Sequence, residues 1–361
     1  MPHIIRQRSL LLIAPLVLLL LMAATPGGAS RASSLRCDDQ QSSGCQEPAQ
    51  PHAENSERQG FRQLPPDRDL MHDRRYMRVS GDADILDAPN GNVVEHLPDG
   101  FNFITVQSIE GDWVQASPGR WLHNSQLEDT NYVVSDFTGI FWPQIEPQHI
   151  SAWLLVNLYP SLEPGGSPVE SNGLHYRYSR IDILDEVEVD GWRWYQIGPD
   201  QWVEQTKVAK VLPVERPEDV ETERWISIDL YEQVLIAYEG DSPVFATLVS
   251  TGRTRFPTQE GTFSIYWRRP RTNMSWGDPG DNFYFLEEVP WTMYYDGGRA
   301  IHGAYWHDGF GYRRSSGCVN LSLTDAHWLY HWVAEDMGHL SSPDIEEDGI
   351  QVYVYSSGEY R

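Results

Sequence analysis

The segment Trp113-Val114-Gln115-Ala116-Ser117-Pro118 with Trp121-Leu122 recurs without gaps 81 residues later, as Trp194-Tyr195-Gln196-Ile197-Gly198-Pro199 with Trp202-Val203, and Leu127 has its counterpart in Val208. Self-similarity at a fixed offset marks two copies of one structural unit, which limits this part of the chain to a duplicated small module. Asp84-Ile85-Leu86-Asp87-Ala88-Pro89-Asn90-Gly91, upstream of the first copy, reads as a strand running into a tight turn. Each copy is therefore expected to be a small β-barrel, the first over 76–130 and the second, with a preceding connector, over 131–212. The repeated tryptophans admit two roles, as aromatic platforms for a sugar or peptide or as packing residues. Fixed positions in so small a barrel favour packing.

The two ends of the chain differ from this middle. Arg6 and Arg8 precede an apolar run from Leu10 to Ala24, and small residues follow through Gly27, Gly28 and Ala29. That order is the order of a secretory signal over 1–29. The run is short for a membrane span of about twenty residues, and Pro15 interrupts it, so cleavage near Ala29 is expected ahead of permanent anchoring. Leu35-Arg36-Cys37 has a charged residue where a lipoprotein box needs a small one. Residues 30–75, rich in Ser, Gln, Pro, Asp and Arg and without apolar period, are expected to form a flexible spacer. A second break falls at 213–223, where Glu215, Glu218, Asp219, Glu221 and Glu223 make an acidic linker.

Beyond the linker the pattern again predicts strands. Ile226, Ile228 and Leu230 alternate with polar neighbours, Asp229 to Gln233 supplies a turn, and Val234–Tyr238 and Val244–Val249 continue a meander. Gly261–Tyr266 and Ile350–Tyr355 add two strands. Thr324–Met337 is expected to be the one main helix, with Ala326, Leu329, Tyr330, Val333 and Met337 on one face, Ser322 or Thr324 as N-cap and Gly338 at its end.

Ahead of that helix lies the part of the chain that bears chemistry. Ile301-His302-Gly303 is followed by Tyr305-Trp306-His307 and then by Ser315-Ser316-Gly317-Cys318-Val319-Asn320. A thiol of ordinary pKa is only about 3% ionised at neutral pH, so a nucleophilic Cys318 needs a base, and His302 is the candidate. Gly317 leaves room for a substrate carbonyl and lets backbone N–H groups turn toward an oxyanion. Taken alone, a cysteine and a histidine are more often buried structural residues. His327 and His331 stand at i, i+4 on the predicted helix with no third ligand attached, so no metal site is expected there.

The full string is more specific. It resembles the L,D-transpeptidase (YkuD-like) catalytic domain family, whose signature is a histidine followed by Ser/Thr-His-Gly-Cys and a hydrophobic-Asn or hydrophobic-Arg pair. The resemblance runs over 224–356. It departs at Ser316, which stands where the signature has histidine. The two repeats resemble bacterial Src-homology-3-like (SH3-like) domains, the first more closely. The resulting expectation is a mainly β protein: two SH3-like β-barrels followed by a β-sandwich catalytic domain with one main helix.

The resemblance implies acyl transfer on peptidoglycan stem peptides, with Cys318 as nucleophile and His302 as base. It also implies that the carbonyl of Gly303 holds the imidazole tautomer, and that the N–H groups of Gly317 and Cys318 form the oxyanion hole. Tyr305, Trp306, Ser316 and Asn320 are the expected substrate contacts, with the Tyr305–Gly311 loop as a lid. No metal or organic cofactor is implied. The product would be 3-3 cross-links made outside the cell, at the wall or surface, or from a membrane anchor if the signal is retained. Two alternatives stay open: water as acceptor, giving an L,D-carboxypeptidase, or a non-catalytic wall-binding protein.

A formal net charge of −25 excludes nucleic acid as an expected partner, since polyanions are bound by basic patches. By the same sign, long-range attraction would favour cationic groups, such as the amine of a diamino acid. The three cysteines are Cys37, Cys45 and Cys318. In an exported chain Cys37 and Cys45 can close a small loop, or remain as two thiols of a tail. We predict the bridge: thiol titration of secreted protein in denaturant should find one reactive thiol, and three would refute it.

Overall fold

The computed structural model describes residues 60–128, 134–337 and 349–358. The expected signal, Cys37, Cys45 and Gly338 lie outside the described residues, as does most of the expected spacer. Its last part, from Gly60, is folded: Arg62–Gln63 is a strand and Arg68–Met71 a short helix capped by Asp67, whose side chain accepts from the Leu70 N–H at 3.0 Å. Polar composition concealed this, because the segment is fixed by a few apolar anchors, with Leu64 packed against the main core and Met71 buried.

Two seven-stranded sheets hold the molecule together. One is ordered Arg62–Gln63, Ile140–Phe141, Ser242–Leu248, Val234–Glu239, Arg224–Asp229, Gln351–Tyr355 and Gly261–Ser264. Its central strands are buried on both faces, which is why Val234–Tyr238 is an unbroken buried run instead of an alternating one. On one face Ile226, Ile228, Leu235 and Phe245 meet Met293, Ile301, Val319 and the helix residues Ala326, Leu329 and Val333. On the other, Trp225, Ile236, Tyr238 and Leu248 meet Phe137, Trp153, Leu155 and Val220 from the preceding modules and linker. The acidic linker is thus seated by Val220, and the connector before the second repeat contributes Ile140–Phe141 as a strand of this sheet.

The second sheet joins Val319–Leu321, Arg299–Gly303, Tyr284–Asp296, Phe101–Val106, Arg75–Val79 and Leu127–Glu128, with Trp267–Trp276 paired to Tyr284–Asp296. Strands of the first module and of the region after residue 223 are therefore neighbours in one sheet. Phe101, Asn102 and Phe103 pair in parallel with Tyr284, Phe285 and Leu286. Part of the first module's edge is thus satisfied by the downstream chain. The module keeps a core of its own, including Ile85, Leu97, Ile104, Val114 and Leu122. A separate core in the second module includes Leu154, Ile183, Tyr195 and Val203.

The 81-residue repeat is visible residue for residue. Hairpin strands Trp113–Ser117 and Arg120–His123, then a 3-10 turn over Asn124–Gln126, correspond to Trp192–Gly198, Gln201–Glu204 and Gln205–Lys207. Even the bulges match, between Gln115 and Ser117 and between Gln196 and Gly198. The tryptophans are not the main core residues. Trp121 is buried, but Trp113, Trp194 and Trp202 are only half-buried, and the alternate positions Val114 and Tyr195 point inward.

The helix Leu323–Met337 begins as expected, with the Asp325 N–H donating to Ser322 Oγ at 3.2 Å and the Ala326 N–H to the Ser322 carbonyl at 2.9 Å. Asp325, fully buried, accepts from the Gly139 N–H at 2.9 and 3.1 Å and from Thr247 Oγ1 at 2.5 Å, tying the helix start to the connector. Burial raises its pKa to about 6 against these hydrogen bonds. The folded state therefore binds the proton more tightly than the unfolded state. Its contribution to stability is full below the unfolded value of about 4 and is lost as pH rises through 6. Chemical denaturation should show wild type losing on the order of 3 kcal/mol through this group between pH 4 and 7. Asp325→Asn should lack that loss; an identical pH slope in both proteins would refute the assignment.

Candidate active site

A short parallel pairing places His302 and Cys318. Ile301, His302 and Gly303 lie opposite Val319, Asn320 and Leu321. Side chains alternate along strands, so Cys318, two residues before Asn320, shares the face of His302. Both residues line one cavity of about 780 Å3. Cys318 is a free thiol, 8% exposed, and His302 is 2% exposed.

Burial tunes both groups. It pushes the Cys318 thiol pKa up, offset in part by the Ala300 N–H and the charge of Arg299. Burial lowers His302 to about 4, against the opposing effect of its hydrogen bond to Gly303. The resting pair is therefore a neutral thiol and a neutral imidazole. His302 Nδ1 lies 3.1 Å from the Gly303 carbonyl, which can only accept, so Nδ1 carries the proton and Nε2 is left as the basic nitrogen.

The turn before Cys318 is held from inside. Ser315 Oγ donates to the Cys318 carbonyl at 2.5 Å and accepts from the Gly317 N–H at 3.1 Å. Gly317 has φ +118, a conformation that glycine alone adopts readily, and an added Cβ would lie 3.0 Å from Arg299 Nε. This corrects one expectation: the Gly317 N–H is engaged by Ser315, which leaves the Cys318 N–H as the remaining donor of the expected pair. The neighbouring loop completes the support, with Thr258 Oγ1 donating to the Gly317 carbonyl at 2.9 Å and the Arg253 N–H to the Ser315 carbonyl at 3.0 Å. Ser316 lines the cavity and its Oγ accepts from Arg253 Nη2 at 3.2 Å.

Of the expected substrate contacts, Trp306, Ser316 and Asn320 line the cavity and Tyr305 does not. The Tyr305 ring stacks on Tyr76 of the first module at 3.5 Å and 6°, and its hydroxyl donates to the Glu287 carbonyl at 2.8 Å. It is a packing residue, because its aromatic face and its polar tip are both already used. The Trp306 ring lies 5.6 Å from that of His302.

Sequence reasoning gave His307 no chemical role, yet it lines the same cavity. Burial, then Arg314, His302 and Arg177, lower its pKa to about 3. Its Nδ1 accepts from the Gly309 N–H at 3.0 Å, and its Nε2 faces the Asn320 amide at 2.9 Å. Nε2 then bears the proton, and the buried Asn320 Oδ1, otherwise without a partner, is the group that accepts it once the amide is turned. Asn320 thus fixes His307 from the strand that follows Cys318.

The segment carrying His307 is fastened by the second module and its connector. Asp308 accepts from Ser135 Oγ at 2.5 Å and the Tyr178 hydroxyl at 2.9 Å, and pairs with Arg177 at 3.3 Å. Arg177 also donates to the Asp308 carbonyl, and the Phe310 N–H to the Tyr178 oxygen at 3.2 Å. The first module supplies part of the cavity wall through Asp99, Gly100 and Phe101. None of these long-range contributions has a local signal. His327 and His331 instead pack around Trp291, with rings 4.5 and 5.6 Å away.

A neutral pair at rest has a measurable signature. Alkylation of native protein by iodoacetamide should accelerate about tenfold per pH unit from 7 upward and continue rising past pH 9. A plateau at neutral pH would reveal a preformed thiolate and imidazolium instead.

No curated protein matches the chain. Among solved structures, L,D-transpeptidase 3 from Mycobacterium tuberculosis is 18% identical with a TM-score of 0.32, over 47% of this chain and 70% of that one. An L,D-transpeptidase from Mycobacterium smegmatis is 20% identical with a TM-score of 0.30, over 47% and 69%. The Ldtfm-avibactam carbamoyl enzyme is 21% identical with a TM-score of 0.31, over 38% of this chain and 51% of that one. The chain thus spans about half the length of that enzyme. The family model that matches is that of the YkuD L,D-transpeptidase catalytic domain, over residues 223–353. The stretch that matches the YkuD L,D-transpeptidase catalytic domain contains both His302 and Cys318.

Proposed function

We propose that the protein is an exported peptidoglycan L,D-transpeptidase working through a cysteine acyl-enzyme. The observation that carries this reading is the free, buried Cys318 on the same sheet face as a neutral His302 whose Nδ1 is tied to the Gly303 carbonyl. Such a pair suits general-base activation, in which the thiol loses its proton as it attacks. The catalytic domain match supplies the substrate class.

In the first step Cys318 Sγ bonds to the carbonyl carbon of the diamino acid of a tetrapeptide stem, while its proton passes to His302 Nε2. The Cys318 N–H supports the oxyanion. The C–N bond to the terminal D-amino acid then breaks, and His302 returns the proton to the leaving amine. In the second step the side-chain amine of another stem attacks the thioester, a new amide forms, and the thiol regains a proton. The product is a 3-3 cross-link. No metal or organic cofactor enters either step. The apolar N-terminal run is the basis for placing the enzyme outside the cytoplasm, at the wall or surface, and the two modules are read as SH3-like repeats.

Intact-protein mass after incubation with a carbapenem should increase by one adduct, and Cys318→Ala should take up none while remaining folded by circular dichroism. An adduct on Cys318→Ala would move the nucleophile elsewhere. His302→Ala should slow acylation by about 10²–10⁴. Purified muropeptides then identify the acceptor: dimers support the transpeptidase, whereas tripeptide without dimer means that water is the acceptor.

A further inference from the structure

The formal net charge of the chain is −25, yet the rim of the cavity has the opposite character. Arg253, Arg255 and Arg314 line it, with Asp99 and Asp281 as its acidic side chains. Arg255 is neutralised by Asp281 through contacts of 2.8 and 3.3 Å. Among the described residues Arg253 and Arg314 meet no carboxylate. Two uncompensated guanidinium groups therefore face a single carboxylate, Asp99, on the first-module wall.

Both arginines stand on the backbone that presents the nucleophile. The Arg314 N–H donates to the Thr251 carbonyl at 3.0 Å, and the Arg253 N–H to that of Ser315 at 3.0 Å, so the two residues flank the start of the Ser315–Cys318 turn. Arg253 spends Nε on the Ser315 carbonyl at 3.3 Å and Nη2 on Ser316 Oγ at 3.2 Å, leaving N–H groups of its fork toward the cavity. Arg314 lies across Gly309, where an added Cβ would be 2.0 Å from its Nε. Only a residue without a side chain lets the guanidinium lie there. Its charge also reaches His307 in the cavity wall.

We propose that Arg253 and Arg314 bind the free C-terminal carboxylate of the acyl donor. This reading rests on the acyl-transfer function above and narrows it. The site accepts peptides that end one residue beyond the attacked carbonyl, because the leaving amino acid carries the carboxylate that the arginines hold. A planar fork is the side chain suited to a carboxylate, and a charge-assisted contact is worth enough to dominate the choice between otherwise identical donors. The acidic exterior does not oppose this, since selection happens at the rim, within a Debye length of about 10 Å.

The test uses the full chain and two synthetic stem tetrapeptides, identical except for a C-terminal carboxylate or carboxamide. Thioester formation is followed by intact mass. Wild type should favour the carboxylate donor by about tenfold or more in kcat/KM, mainly through KM. Arg314→Gln and Arg253→Gln should each bring that ratio toward one, whereas Arg255→Gln should leave it within about threefold of wild type. The proposal is overturned by equal rates for both donors in wild type, or by a ratio that only Arg255→Gln reduces. Thioester with neither donor would overturn the acyl-transfer reading itself, and the proposal with it.

Discussion

The three-residue parallel pairing of Ile301–Gly303 with Val319–Leu321 is the constraint on which the rest of the structure depends. It sets His302, Cys318 and Asn320 on one face and fixes their spacing by strand geometry rather than by side-chain contacts. Parallel neighbours need a crossover, commonly a helix that packs its own apolar stripe. Here the crossover is irregular backbone from Ala304 to Cys318, which cannot stabilise itself through a regular ladder. Its support must come from elsewhere, and both N-terminal modules supply it: Tyr76 stacks on Tyr305, while Ser135, Arg177 and Tyr178 grip Asp308. The first module is thus part of the cavity wall, and the second fastens the crossover beside it.

That wall explains the electrostatic state of the pair. With Trp306 and the crossover over it, His302 is shielded enough to stay neutral, and the thiol opposite it keeps its proton. Against a preformed ion pair, burial of both groups outweighs the Gly303 carbonyl, which favours a charged imidazole, and the Ala300 N–H and Arg299, which favour a thiolate. Two neutral groups at rest fit the proposed mechanism, in which the proton moves during attack and the Cys318 N–H is the oxyanion donor.

Local patterns in the sequence were enough for the elements that stabilise themselves locally. The duplicated hairpins, with their matching bulges, follow from an ungapped repeat. The helix follows from Ser322 and the spacing of Ala326, Leu329 and Val333. His302 and Cys318 are legible because the motif and its glycine are contiguous. The long hairpin Trp267–Trp276 with Tyr284–Asp296 was not, for physical reasons. Pro270 and Pro290 interrupt its alternation, Glu288 and Trp291 adopt positive φ, and its outer strand is mostly half-exposed. Pairings between distant segments leave no local trace either. Nothing in Phe101–Phe103 announces that Tyr284–Leu286 will lie beside it, and nothing in the crossover announces which residue will hold Asp308.

The grip on Asp308 has a consequence for how such a protein can change over time. Modules that repeat in sequence suggest cassettes, to be lost, duplicated or exchanged by recombination. This one cannot be exchanged freely, because Arg177 and Tyr178 belong to the second repeat while their partner belongs to the crossover beside Cys318. A recombinant that replaced the repeat alone would inherit an orphaned carboxylate beside the cavity that holds His302 and Cys318. Lineages carrying this architecture should therefore pass on the repeat and the crossover as a linked pair, with substitutions at 177 and 178 tracking those at 308.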